Sequence, residues 1–302
     1  MPSRPMLTAV GFLAICLAAV SAQEPPAAAT ADSAANSSRN QPLRIMLTND
    51  DGIKAPGIVA MHKALVAAGH DVTMVAPATQ QSGAGTHIHH GMLPLEERGE
   101  KQWALTGSPA DTVLAGVHHI MDPPPDLVVS GSNFGENMGR SANMSGTVGA
   151  AIVAAGQGFP AIAVSVGYDR ENPRKTAAAF ENAAEFVADL IDQLQSTGDD
   201  ILPPDTVLNV NYPPLPADQI AGIRHTRLAR SNPVTWVHRS VDGGVIRRQI
   251  IADPEEADET TDTAWHYRGY ITISRLRCTW SSNQALRDEM KDRLSDLQAQ
   301  SP

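Results

Sequence analysis

The chain has 302 residues, with 23 Lys and Arg against 33 Asp and Glu, for a formal net charge of −10. That balance leaves no basic footprint for duplex nucleic acid, so any phosphate bound here must be held locally, by metal and backbone amides. The two cysteines are Cys16 and Cys278.

At the N-terminus, Arg4 precedes an uncharged apolar run from Leu7 to Val20, and Val20-Ser-Ala22 closes it with small residues. This predicts a signal peptide over residues 1–22, cleaved after Ala22, and an exported, periplasmic protein with no membrane contact after cleavage. The run is short for a retained span, and the bulky Ile15 before Cys16 speaks against a lipid anchor. Loss of Arg4, with no Asp or Glu in 1–22, takes the net charge to −11. Cys278 then has no intrachain partner and is read as a structural thiol, ahead of an intermolecular bridge. Residues 23–40, rich in Ala, Ser and Pro, are expected to form a flexible leader.

From Leu43 the pattern alternates strand and helix. Leu43–Thr48 is an apolar strand broken only by Arg44. Gly57–Ala68 is a helix with Ile58, Met61, Leu65 and Ala68 inward and Gly69 as its stop. Asp71–Ala76 is a strand, followed by a loop from Ala78 to Gly91 and a polar segment of turn character. Ser108 and Pro109 open a helix running to about Met121. Asp126–Ser130 is a strand, Gly131–Gly146 a long loop, Thr147–Gly156 a helix of small residues, and Ala161–Val166 a strand. Asn172-Pro173 opens a long helix whose inward face is Phe180, Ala184, Val187, Ile191 and Leu194. Val207–Val210 is the next strand. This alternation predicts an α/β fold, a Rossmann-like, doubly wound, mostly parallel sheet over residues 41–212. Residues 213–302 are expected to form a β-rich C-terminal extension that covers the core or joins subunits. It has a hairpin at Asp242-Gly-Gly244 and a terminal helix over about Asn283–Leu297.

The chemistry gathers in loops after predicted strands. Asp50 and Asp51 stand side by side at the end of the first strand, where two carboxylates repel each other unless a cation lies between them. Asp-Gly alone is an ordinary turn. Two further Gly-rich loops, 77–85 and 130–147, should converge on it, because ligands in open parallel sheets bind outside the carboxyl ends of strands. Ser145-Gly-Thr147 precedes a helix, whose N-terminal amides favour an anion.

Read together, T-N-D-D-G-I-x-A-P-G at 48–57, V-A-P-x-x-x-x-S-G at 75–83, G-S-P-A-D at 107–111, D-L-V-V-S-G-S-N-F-G-x-N at 126–137 and S-G-T-V-G-A-A at 145–151 resemble the SurE family of stationary-phase survival proteins, which are metal-dependent nucleotidases. Gly158–Ser165, Leu208–Asn211 and Gly269–Ser274 extend the resemblance to about Leu276. It implies one divalent ion per subunit, held by Asp50, Asp51, Ser82 and Asn133. Asn49, Asn137, Ser145, Gly146 and Thr147 would lie around the phosphate of a nucleoside monophosphate. An all-oxygen set of this kind suits Mg²⁺ or Mn²⁺. Asp50 and Asp51 are the expected catalytic pair, with Asp50 as general base or water orienter. The family also implies a homodimer or homotetramer. A broader phosphatase or exopolyphosphatase, and a periplasmic phosphate- or nucleotide-binding protein without turnover, remain the competing readings.

Three features depart from the family. Arg140-Ser-Ala-Asn-Met144 replaces a segment often acidic and aromatic, three histidines (His87, His89, His90) lie in one loop, and a signal peptide is present. The histidines are read as surface residues, since a transition-metal site needs three or four converging ligands. His118 and His119 are placed at a helix end. Gly107-Ser-Pro lacks the nucleophile-elbow pattern, and no Gly-x-Gly-x-x-Gly follows the first strand.

Overall fold

The computed structural model describes residues 41–169, 171–198, 200–231, 234–251, 258–279 and 284–294. The apolar run Leu7–Val20, the cleavage site after Ala22, the 23–40 leader, Asn283 and residues 295–297 lie outside the described residues.

The first strand, β1 (Arg44–Thr48), is buried from Ile45 onward. Arg44, the one charge in its run, pairs with Asp126 through Nη2 to Oδ1 at 2.5 Å and Nε to Oδ2 at 3.0 Å. Helix α1 (Pro56–Ala67) buries Gly57, Ile58, Met61 and Leu65, while Ala68 is its exposed C-cap. β2 (Asp71–Pro77) follows. The polar segment beyond Gly91 forms a hairpin, β3 (Leu95–Gly99) and β4 (Gln102–Leu105), where only turn character was expected. Leu95-Glu-Glu-Arg-Gly has one apolar residue and lies on the sheet's edge, so it carries no alternating signal.

Ser108 caps α2 (Pro109–Ala115) in a capping box with Asp111, and a π turn carries the helix on through Gly116–Ile120. β5 (Leu127–Phe134) runs four residues past the expected end at Ser130. Its far half is polar and small, and it shifts register against β6 between Ser130 and Asn133. Gly131 is required there: a Cβ would stand 2.3 Å from the Val164 carbonyl oxygen, and φ is +141°.

A 3₁₀ turn (Gly139–Met144) leads to α3 (Gly146–Gly156) and β6 (Ala161–Val166). α4 (Pro173–Thr197) buries Phe180, Ala184, Val187 and Ile191 on the expected face, with Leu194 partly buried. β7 (Thr206–Tyr212) and β8 (Gly222–Thr226) precede the hairpin β9 (Val234–Val241) and β10 (Gly244–Ile251), which turns at the expected Asp242-Gly-Gly. α5 (Asp262–His266), β11 (Tyr270–Arg277) and α6 (Gln284–Arg293) complete the described chain.

Nine strands form one sheet in the order β3-β4-β2-β1-β5-β6-β7-β11-β8. The block from β4 to β7 is parallel; β3 and β11 run antiparallel to their neighbours in it. The segment after Tyr212 thus supplies β11 and β8 to the same sheet. One core packs α1 and α4 on one face, and a second packs α2 and α3 on the other. Each fully buried Ile, Leu or Met there contributes about 1.5–3 kcal/mol. Strand order reverses at β1, which lies between β2 and β5, and the crevice beyond β1 and β5 is where such sheets take ligands.

Candidate active site at the carboxyl ends of β1, β2 and β5

A cleft of about 110 Å³ opens at this crevice, lined by Asp50, Ser82, Asn133, Asn137 and Ser145 among others. One water needs roughly 10–15 Å³, so the cleft has room for a hydrated ion beside a phosphoryl group.

Asp50 is 2 % exposed. Burial pushes its pKa up to about 6; the Thr147 hydroxyl, donating to Oδ1 at 2.7 Å, opposes this, and the neighbouring Asp51 charge adds to it. Asp51 is half-buried and held at both oxygens: Gln80 Nε2 donates to Oδ1 at 2.7 Å and the Phe134 N–H to Oδ2 at 2.9 Å. Gln80 also accepts the Ser82 N–H through Oε1 at 2.7 Å, so one side chain ties Asp51 to the Ser82 loop. Asn133 commits its amide nitrogen to the Gly135 carbonyl at 2.6 Å, which leaves its amide oxygen to serve a cation.

The donor set fits a hard divalent ion. Two adjacent carboxylates, one buried and raised in pKa by burial and by its neighbour, form a site where a cation relieves both penalties. Among the described residues no group of three or more His, Cys, Asp or Glu could hold a metal. A cation held beside this pair would have neutral oxygens such as those of Ser82 and Asn133, which line the same cleft as Asp50, to complete its shell.

The expected phosphate residues divide into two sets. Ser145 lines the cleft and caps α3, its Oγ accepting the Val148 N–H at 3.1 Å. Gly146 lies beneath Asp50: a Cβ there would stand 2.8 Å from Asp50 Cβ and 2.9 Å from Oδ2. Asn137 lines the cleft, donates to Ser165 Oγ at 2.9 Å, and has its backbone pinned by Asn209 and Asn211 of β7. Asn49 and Thr147 are not among the residues that line the cleft. Asn49 is fully buried and closes the turn onto Gly52, and Thr147 is fully buried and orients Asp50. Asn49 adjoins the carboxylates in sequence and Thr147 sits in the Ser-Gly-Thr run at the start of α3, so sequence position alone cannot separate a ligand from its support.

Two residues were missed. Gln80 sits in a polar loop with no pattern to single it out. Glu136 lines the cleft and is buried, accepting the Tyr168 N–H at 2.8 Å and the Tyr267 hydroxyl at 3.1 Å. An acid between Gly135 and Asn137 was its only sequence signal. Behind it, His266 is fully enclosed; burial holds it below the usual histidine range while Glu136 pulls the other way. Asp262 of α5 accepts the N–H groups of Gly139 and Ala229, both at 2.9 Å, and fastens the 139–144 rim to the C-terminal region.

The histidine loop has a structural anchor. The His89 N–H donates to Asp111 Oδ1 at 3.0 Å, and its Nδ1 lies 2.6 Å from Oδ2. Burial works against the Asp111 charge, but hydrogen bonds from Ser108 and His89 outweigh it and lower its pKa. The His87 ring meets His89 edge-on at 4.4 Å. His118 Nε2 lies 2.8 Å from Gln157 Oε1 at the end of its helical turn.

A family profile described as Survival protein SurE matches residues 45–234. The chain is 43% identical over 246 residues to a 5′-nucleotidase SurE of Syntrophobacter fumaroxidans, covering 78% of this chain and 93% of that one. It is 38% identical over 250 residues to a 5′-nucleotidase SurE of Nitratidesulfovibrio vulgaris, covering 80% and 89%. Among solved structures, the SurE protein from Aquifex aeolicus superposes with a TM-score of 0.72 at 30% identity, over 84% of this chain and 100% of that one.

Proposed function

This chain belongs to the SurE family, and from that membership we infer that it is a 5′-nucleotidase, hydrolysing nucleoside monophosphates to nucleoside and phosphate. The observation that carries this reading is the meeting of Asp50, Ser82, Asn133 and Ser145 in one cleft, with Asp51 held beside Asp50. The family is metal-dependent, and a bound divalent ion supplies Lewis-acid polarisation of the phosphoryl group and activation of water. We assign one ion per subunit to Asp50, Asp51, Ser82 and Asn133, and the all-oxygen set favours Mg²⁺ or Mn²⁺.

The protein's own groups then divide the work. Gln80 and the Phe134 N–H fix Asp51, and Thr147 fixes Asp50, so both carboxylates are oriented before substrate arrives. Ser145 and the first amides of α3 face charge developing on the phosphoryl oxygens, where fixed donors act most strongly. Asp50 accepts a hydrogen bond from the attacking water and aligns it with phosphorus.

Export to the periplasm remains our reading of Arg4, Leu7–Val20 and Val20-Ser-Ala22. Assembly as a homodimer or homotetramer is supported by the β9–β10 hairpin, which forms a sheet of its own and exposes Val237, Val241 and Val245. The test of function is phosphate release from AMP with Mg²⁺ or Mn²⁺, run against other phosphomonoesters and short polyphosphate. Binding of AMP without release by folded, metal-loaded protein would reduce the site to a receptor.

A further inference from the structure

The phosphate cleft does not end in polar surface. Its lining includes Phe134 from the end of β5, Glu136, and Met144 from the 3₁₀ turn. Phe134, Met144, Tyr168 and Tyr267 are 39, 41, 37 and 41 % exposed, large values for bulky side chains gathered at one rim. Phe134, Tyr168 and Tyr267 are tied to one another. The Phe134 and Tyr168 rings lie 5.3 Å apart, and Phe134 is backed from below by Phe180 at 5.9 Å. Tyr168 and Tyr267 both donate to the Glu136 carboxylate, through backbone N–H and hydroxyl respectively. A buried carboxylate has about four lone-pair sites, and these two bonds occupy two of them. The remaining capacity belongs to a group that repels phosphate and accepts hydrogen bonds from neutral donors.

We propose that this rim is the nucleoside subsite: Phe134 stacks the base, braced by Tyr168 and Phe180, and Glu136 accepts hydrogen bonds from the 2′- and 3′-hydroxyls of the ribose. The proposal rests on the nucleotidase reading, because continuity with the phosphate cleft names the occupant. A base has a π-face for the ring, a ribose has the donors Glu136 lacks, and the phosphate lies where Ser145 and Asn133 line the same cleft.

The test combines calorimetric affinity for AMP in Mn²⁺ with phosphate release from AMP, its 2′,3′-dideoxy analogue and glycerol phosphate. The proteins are the wild type, Phe134→Leu and Glu136→Gln, each checked by thermal melt and solution size. Phe134→Leu keeps volume but removes the ring face, and should weaken AMP binding about tenfold. It should also lower the ratio of kcat/KM for AMP to that for glycerol phosphate by a similar factor. Glu136→Gln should abolish the preference for AMP over the dideoxy analogue, raising KM rather than lowering kcat. If AMP binds with this sensitivity yet is not hydrolysed, the nucleotidase reading falls and the subsite stands. If AMP is hydrolysed but both variants leave the affinity and the substrate ratios as in the wild type, the subsite is overturned. A change of solution size with unaltered AMP affinity would also overturn it, by making the rim a subunit contact.

Discussion

At the residue scale, the adjacent carboxylates carry opposite burdens. Asp51 is oriented by two donors and half-exposed, while Asp50 is enclosed. Asp51→Asn keeps shape but withdraws a ligand charge, and phosphate release should fall by about 10²-fold or more; near-normal turnover of the folded variant would remove Asp51 from the site. Asp50 predicts a stability effect in metal-free protein. Its folded pKa, about 6, lies above the ordinary 3.8. The native state therefore holds this proton more tightly than the unfolded chain, and stability falls as pH rises from about 4 to 6. Asp50→Asn should raise the melting temperature of EDTA-treated protein at pH 7.5, by up to about 3 kcal/mol in free-energy terms, and change it little at pH 4. Equal melting of variant and wild type at both pH values would contradict this. The carboxylate pair was legible because adjacent acids at a strand end have few structural uses. Gln80 and Glu136 were not, because their roles arise from contacts with residues distant in sequence.

At the scale of elements, the Ser82 loop is held at both ends of its polar run. Gln80 fixes its start to Asp51, and His89 fixes its end to Asp111, the residue that also completes the capping box of α2 with Ser108. Metal removal should follow from the oxygen donor set: EDTA inactivates, and Mn²⁺ or Mg²⁺ restores activity. Changing His87, His89 and His90 together to Ala should leave that pattern intact while lowering stability by about 1 kcal/mol through the lost Asp111 contact. Restoration by Zn²⁺ alone, lost in the triple variant, would reassign the loop to metal binding. Central strands were readable as apolar runs, because parallel strands are buried on both faces. β3 was not readable. Edge strands keep their charges in water, and Leu95–Gly99 spells a loop as well as a strand.

At the scale of the whole molecule, the alternation up to β7 disclosed a doubly wound sheet, but pairing beyond it was hidden. β11 inserts between β7 and β8, antiparallel to the first and parallel to the second, although 57 residues of chain (213–269) separate it from β7 and 43 (227–269) from β8. No local pattern encodes such a choice of neighbour. It makes the C-terminal segment part of the core sheet, so a chain ended after Pro214 should lose soluble expression or cooperative melting, because β7 becomes an open edge. A soluble, cooperatively melting fragment would show the parallel block to be self-sufficient.

The bonds that orient the carboxylates span long stretches of chain: Thr147 reaches Asp50 across 97 positions, and the Phe134 N–H reaches Asp51 across 83. Loops of that length close late in folding, after local helices have formed. An oriented carboxylate pair therefore requires both long-range closures, and no segment folded on local contacts alone carries it. Were the chain to travel unfolded to the periplasm, the address we propose, the cytosolic nucleotide pool would meet only an inert polypeptide.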